Sequence, residues 1–120
     1  MINGEHTVRR PVAKLSDDEI ALAKAYIQGA VYCFCKNCPD RSFSARELFG
    51  GENTDWSDTP LDSLYKWHKN SGNDKPVEMA GKDLGWILLQ VIVDDKHRKF
   101  EIAEGYTHSY RWIRSQEDIT

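Results

Sequence analysis

The stretch Trp86-Ile-Leu-Leu-Gln-Val-Ile-Val93 is the longest apolar run of the chain, and only Gln90 interrupts it. A chain of 120 residues is expected to form one small domain, so this run must lie in its core. If the run is a strand, it shows no alternation of apolar and polar residues, so both of its faces would have to be buried. As a helix it extends back to Pro76, whose missing N–H costs nothing in a first turn. We therefore favour a helix over residues 77–93. Its predicted inner face holds Val77, Ala80, Gly81, Leu84, Leu88, Val91 and Ile92.

The same helix has further apolar residues that fall outside this inner face. Trp86, Leu89 and Val93 are predicted to lie on another face. The charged and polar residues Lys82, Asp83 and Gln90 are expected beside them. A second apolar patch needs a cover, which is either the C-terminal part of the chain or a partner.

Two capping boxes mark the starts of two earlier helices. Ser16 with Glu19 predicts a helix that ends near residues 35–37, and Ser44 with Glu47 predicts a second, shorter helix. The segment just before the second helix, residues 41–43, is compatible with a short strand.

A third helix is predicted to begin at Thr59-Pro60, with the threonine as cap and the proline in the first turn. The breaker cluster of residues 70–76 ends it. His68 is in register with the apolar face of this helix. That position favours a hydrogen-bonded histidine at the edge of the core over a ligand.

After the charged residues 94–99, apolar and polar residues alternate with a period of two. We predict a β-hairpin over residues 100–113, with its turn at Glu104-Gly105. One face of this hairpin is expected to carry Phe100, Ile102, Tyr106, His108, Tyr110 and Trp112.

The two ends of the chain are predicted to lie outside the globular part, which spans residues 15–114. Residues 1–14 read as a flexible basic arm, and residues 115–120 as a polar tail. The content of 40% hydrophobic and 29% charged residues is typical of a globular protein and not of a disordered one. No apolar stretch approaches the roughly 20 residues that span a bilayer, and the start carries no signal-peptide pattern. No contact with a membrane is expected, and the cytoplasm is the expected location.

Three cysteines lie close together, at positions 33, 35 and 38. The spacing of Cys35 and Cys38 is that of half a zinc site, but the chain has no second pair of this kind. We expect free thiols at the end of a helix, with no metal and no other cofactor.

The order of helix, short strand, helix, helix, long helix and hairpin resembles the winged helix-turn-helix family. The resemblance covers residues 15–113 and implies an α+β fold with three to four helices and a C-terminal β-hairpin. In that family the helix before the hairpin is the recognition helix and the hairpin is the wing. The resemblance implies a DNA-binding role, in which duplex DNA would be contacted through Arg9, Arg10, Lys75, Lys82, Lys96, Arg98 and Lys99.

A role in protein–protein interaction or dimerisation is the preferred function, with DNA binding as the alternative. The interface is predicted to centre on Trp86, Leu89 and Val93, because large apolar side chains carry most of the binding energy of interfaces. The partner is expected to be another protein or a second copy of the chain. The sequence contains no glycine-rich phosphate loop and no nucleophile motif. No enzyme activity and no catalytic residue is therefore predicted.

Overall fold

A computed structural model describes residues 11–50, 55–105 and 108–114. Within these ranges the chain is mixed α+β, as predicted, with four helices and a small antiparallel sheet. The elements are α1 Asp17–Asn37, β1 Phe43–Ser44, α2 Ala45–Phe49, α3 Asp62–Asn70, α4 Pro76–Asp94, β2 Lys99–Ala103 and β3 Ser109–Ile113.

Capping interactions start the first two helices where the sequence predicts them. The hydroxyl of Ser16 accepts from the backbone N–H of Glu19 at 3.1 Å, and the carboxylate of Glu19 accepts from the N–H of Ser16 at 2.9 Å. This exchange holds the pKa of Glu19 below its ordinary value. Ser44 caps α2 by accepting from the N–H of Glu47, and α2 ends at Gly50 with φ +83°. Both predicted helix starts are confirmed.

The start of α3 differs from the prediction by two residues. The Thr59 hydroxyl donates to the carbonyl of Trp56 at 2.7 Å and accepts from the N–H of Leu61. These bonds close a turn around Pro60, and the helix follows from Asp62. The threonine therefore stabilises the turn before the helix and does not cap the helix itself.

The long apolar run forms the second half of α4, and the helix packs against α1, α2, α3 and β2. Because several elements cover it, more than one of its faces is buried. Leu88 and Leu89 are both buried, at 0% and 1% exposure, whereas Val77 is 42% exposed and Gly81 is exposed. The predicted helix is confirmed, but the placement of Leu89 outside the core and of Val77 and Gly81 inside it is wrong.

The C-terminal hairpin is joined by β1 in a three-stranded antiparallel sheet of order β1-β3-β2. Phe43 of β1 is opposite Tyr110, and Phe100 is opposite Trp112. All four rings are buried, so the predicted aromatic face is a wall of the core. β3 begins at Ser109, paired with Ala103, and the connection is therefore longer than the predicted two-residue turn. Tyr106 lies outside the described residues.

The N-terminal segment is packed where the structure describes it. Ala13 is 4% exposed and belongs to the core, so residues 11–13 are not part of a free arm. The remainder of the predicted arm, including Arg9 and Arg10, and the predicted tail from residue 115 lie outside the described residues. Within the described part of the chain, no helix is both long and apolar enough to cross a membrane.

Candidate functional site

A groove of about 1070 Å³ runs along the first half of α4. Its sides come from α2, from the segment 55–57, from α3 and from the end of the hairpin. Binding sites for small molecules commonly have volumes of about 300–1,000 Å³, so the groove can hold a ligand or several side chains of a partner.

Two glycines of α4 form the floor of the groove. Gly81 and Gly85 are four residues apart and therefore share one face of the helix. A Cβ atom built on either glycine has no heavy atom of the described residues within 4 Å, apart from the adjoining backbone. The helix backbone is thus accessible along one turn, where a bound molecule can approach it closely.

Large aromatic side chains line the walls. Trp56 is fixed by a hydrogen bond of 3.0 Å from its indole Nε1 to the carbonyl of Phe49. Tyr65 of α3, Trp86 of α4 and Tyr110 of β3 complete the aromatic lining. Tyr110 is 2% exposed, and burial raises the pKa of its phenol far above the ordinary value.

Charges of both signs lie at the rim of the groove. Asp62 pairs with Lys66 at 3.1 Å, and Glu78 lies 4.0 Å from Lys82. Such exposed pairs contribute little to stability. These pairs place a negative and a positive side chain next to each other at the rim.

A second cluster, on the opposite side of α4, is polar and closed. Asp83 and His68 are both 0% exposed, and the carboxylate Oδ2 lies 2.7 Å from the imidazole Nε2. The same carboxylate accepts the backbone N–H of Val12 at 2.8 Å and that of Ala13 at 3.0 Å. One buried aspartate thus ties the N-terminal segment to α3 and α4.

The partner of the other imidazole nitrogen defines the tautomer of His68. Asn73 Nδ2 lies 3.3 Å from His68 Nδ1. An amide nitrogen only donates, so Nδ1 accepts, and the N–H at Nε2 donates a hydrogen bond to Asp83. The cluster is fully hydrogen-bonded and closed to solvent. This pair, with both side chains at 0% exposure, links α3 to α4 and stabilises the fold.

Arg98, one of the residues predicted for phosphate contacts, is packed between aromatic rings. Its guanidinium carbon lies 4.0 Å from the ring centre of Tyr32 and 4.3 Å from that of Trp112. The Tyr32 hydroxyl donates to Asp95 at 2.8 Å, and burial together with this bond raises the tyrosine pKa. Arg98 therefore contacts both α1 and the hairpin, and its role as a phosphate contact stays a prediction.

The other predicted site residues are dispersed. Trp86 lines the groove, whereas Leu89 is buried and Val93 is half-buried against the core. The three do not form one exposed patch. The remaining described bases of the DNA-binding alternative are exposed: Lys75, Lys82, Lys96 and Lys99.

The cysteines are free, with Cys33 exposed, Cys35 buried and Cys38 intermediate. Burial raises the pKa of the Cys35 thiol. Within residues 11–50, 55–105 and 108–114, no group of three or more His, Cys, Asp or Glu side chains is placed to hold a metal ion.

The groove and the buried cluster include His68 and Trp86, which the sequence pattern singled out, but they also depend on residues that it did not assign to a site. Gly81 and Gly85 interrupt a helix at a four-residue spacing, and this was the available signal for an open helix face. Asp83 carried no signal of its own, because its partners Val12 and Ala13 are about 70 positions away along the chain.

Comparisons with protein-family models, with curated proteins and with solved structures found no match.

Proposed function

We propose that this chain is a non-enzymatic interaction module whose groove binds an apolar segment of a partner protein. One observation carries the proposal: an open glycine floor lies between aromatic walls in a single groove. Tryptophan and tyrosine are the residues that most often dominate binding energy at protein interfaces. A floor without side chains lets the backbone of the bound segment lie close to α4, which increases the contact area per residue.

A winged-helix-like arrangement is part of this proposal, and the order of the elements supports it. In that arrangement α4 takes the place of the recognition helix. The accessible face of its first half presents Gly81, Gly85 and Trp86 where a DNA-binding helix would need side chains that hydrogen-bond to bases. We expect the module to act in the cytoplasm, since its free cysteines suit a reducing compartment.

DNA binding is the alternative proposal, and the exposed lysines support it. The support is limited by Glu78, whose carboxylate lies 3.9 Å from the ammonium of Lys75 and 4.0 Å from that of Lys82. Duplex binding that weakens steeply with added salt would favour this alternative over the groove. A Lys75→Ala/Lys82→Ala variant should then bind the duplex more weakly than the unsubstituted protein does.

The test of the groove uses the same substitution at two glycines. Gly85→Lys places a long charged side chain in the groove, whereas Gly29→Lys places it on the exposed outer side of α1. Neither new Cβ meets a heavy atom of the described residues within 4 Å, so both variants should fold. Random dodecapeptides displayed on phage are selected on the full-length protein, and enriched peptides are titrated by fluorescence polarisation.

We expect enriched peptides that carry large apolar residues. Gly85→Lys should weaken their binding by about tenfold or more, which corresponds to about 1.4 kcal/mol or more. Gly29→Lys should bind them as the unsubstituted protein does. Failure to enrich any peptide, or equal binding by all three proteins, would contradict the proposal.

A further inference from the structure

The outer face of α1 is apolar and exposed over several turns. Leu22 is 61% exposed and Tyr26 is 41% exposed, and Gly29 and Cys33 are exposed as well. These four positions follow one another at intervals of four, three and four residues, so they lie along one face of the helix. From residue 20 to residue 35 the only charged side chain is Lys24. A surface helix normally carries charges on the face that meets water, and this face carries none.

Apart from Lys24, the charges of α1 lie at its two ends and have opposite signs. The first turn holds Asp17, Asp18 and Glu19, and the last turn holds Lys36. A second α1 that lies antiparallel to the first would bring the acidic first turn of each copy beside Lys36 of the other. The positive end of each helix macrodipole would also lie beside the negative end of the other, which is favourable. The surface is thus complementary to itself when one copy is turned by 180°, as a two-fold symmetric interface requires.

One antiparallel register also matches the sizes of the side chains. With the two-fold axis between residues 27 and 28, Tyr26 of one copy is level with Gly29 of the other, and Leu22 is level with Cys33. Gly29 has no heavy atom of the described residues within 4 Å of an added Cβ. A tyrosine ring from the second copy can therefore pack onto the bare backbone at this position. Each large side chain meets a small one, and each match occurs twice because of the symmetry.

We propose that the protein forms a homodimer in which α1 packs antiparallel against α1 of a second copy. The surface is on a different helix from the groove of α4, so the dimer leaves both grooves free. The dimer is therefore a separate property from the proposed binding of a partner segment, and each can fail without the other.

Sedimentation equilibrium of the full-length protein from about 1 to 100 µM tests the dimer. We expect the mass to rise with concentration towards twice that of one chain. Gly29→Lys should remain at the mass of one chain over the whole range, because it places two charges in the contact. Its far-ultraviolet circular dichroism should show a folded helix content. Gly85→Lys carries the same substitution in the groove and should dimerise normally. A constant mass of one chain for the unsubstituted protein, or a Gly29→Lys variant that still dimerises, would overturn the proposal.

A cross-link tests the orientation of the two helices. In a Leu22→Cys variant, oxygen with copper–phenanthroline oxidises two facing thiols to a disulfide. The antiparallel register predicts a dimeric product that joins position 22 of one chain to Cys33 of the other. Within one helix these positions are about 16 Å apart, which is too far for a disulfide.

The second variant separates antiparallel from parallel packing. Leu22→Cys/Cys33→Ser removes the thiol that the antiparallel register places opposite position 22, and no disulfide to position 33 can then form. A cross-link that peptide mapping assigns to the two copies of position 22, and not to Cys35 or Cys38, would show parallel packing and overturn the proposed arrangement. A dimeric mass without any link between position 22 and Cys33 would overturn the proposed register.

Discussion

Two opposite sides of α4 differ in their exposure, although the residues that define them are only two positions apart in the sequence. Gly81 and Gly85 lie at the bottom of an open groove, whereas Asp83 between them is 0% exposed. The side with the glycines is open, and the side with the buried carboxylate is closed. This is the reverse of what residue type alone suggests, because aspartate is among the residues least often buried.

The difference follows from what each side meets. Asp83 has three donors within 3.0 Å, from Val12, Ala13 and His68, and these compensate for the loss of water around the carboxylate. On the glycine side, no heavy atom of the described residues lies within 4 Å of a Cβ built on Gly81 or Gly85, apart from the adjoining backbone. Four residues after Gly85, on the same face, Leu89 is buried in the core. The groove therefore ends where the core of the protein reaches this face of the helix.

Removal of the buried carboxylate should have the largest effect on stability. Asp83→Ala leaves His68 and two backbone N–H groups without their acceptor inside the protein. We expect a loss of about 3–5 kcal/mol in the free energy of unfolding, as for other broken buried pairs. Urea unfolding followed by tryptophan fluorescence measures this loss.

Asp94→Ala is the matched control, because Asp94 is an exposed aspartate at the end of the same helix. Its effect should stay within about 0.5 kcal/mol. Asp83→Asn should fall between the two, since the amide keeps one acceptor oxygen. Equal stability of the Asp83→Ala and Asp94→Ala variants would show that the closed side of α4 does not hold the N-terminal segment.

The second largest loss of stability is expected in the part of α4 where the helix face that lines the groove continues into the core. Leu89→Ala and Leu88→Ala should each lower the free energy of unfolding by about 2–5 kcal/mol, because both side chains are almost fully buried. Urea unfolding of both variants at one protein concentration compares them. A loss at Leu89 that is much smaller than the loss at Leu88 would mean that the groove extends further along α4.

The fold was largely predictable because its signals are local. The capping box of Ser16, the glycine after α2 and the breaker before Pro76 each act within a few residues. The alternation from Phe100 to Trp112 defines a strand pair in the same way. These features give the order of helices and strands, and with it the α+β class.

The functional surfaces were less predictable because they depend on tertiary contacts. A helical period identifies faces but not how many of them are covered, so Leu89 was expected outside the core and Gly81 inside it. The partners of Asp83 are about 70 residues away in the sequence, and local pattern does not find such pairs. Arg98 was predicted as a surface charge, since nothing near it in the sequence indicates the aromatic rings that enclose it.

The smallest predicted effect concerns the glycines themselves. Gly81→Ala and Gly85→Ala should each raise the free energy of unfolding by about 0.4–1 kcal/mol, because alanine restricts the unfolded chain and fits the helix. The groove offers space for the added methyl group. Gly72→Ala is the control: Gly72 also has open space around it, but its φ is +76°, a conformation that costs other residues about 1–2 kcal/mol. Urea unfolding midpoints should therefore rise for the two helix variants and fall for Gly72→Ala. A fall at Gly81 or Gly85 would mean that the floor of the groove is occupied in solution, and the contrast between the open and the closed side of α4 would not hold.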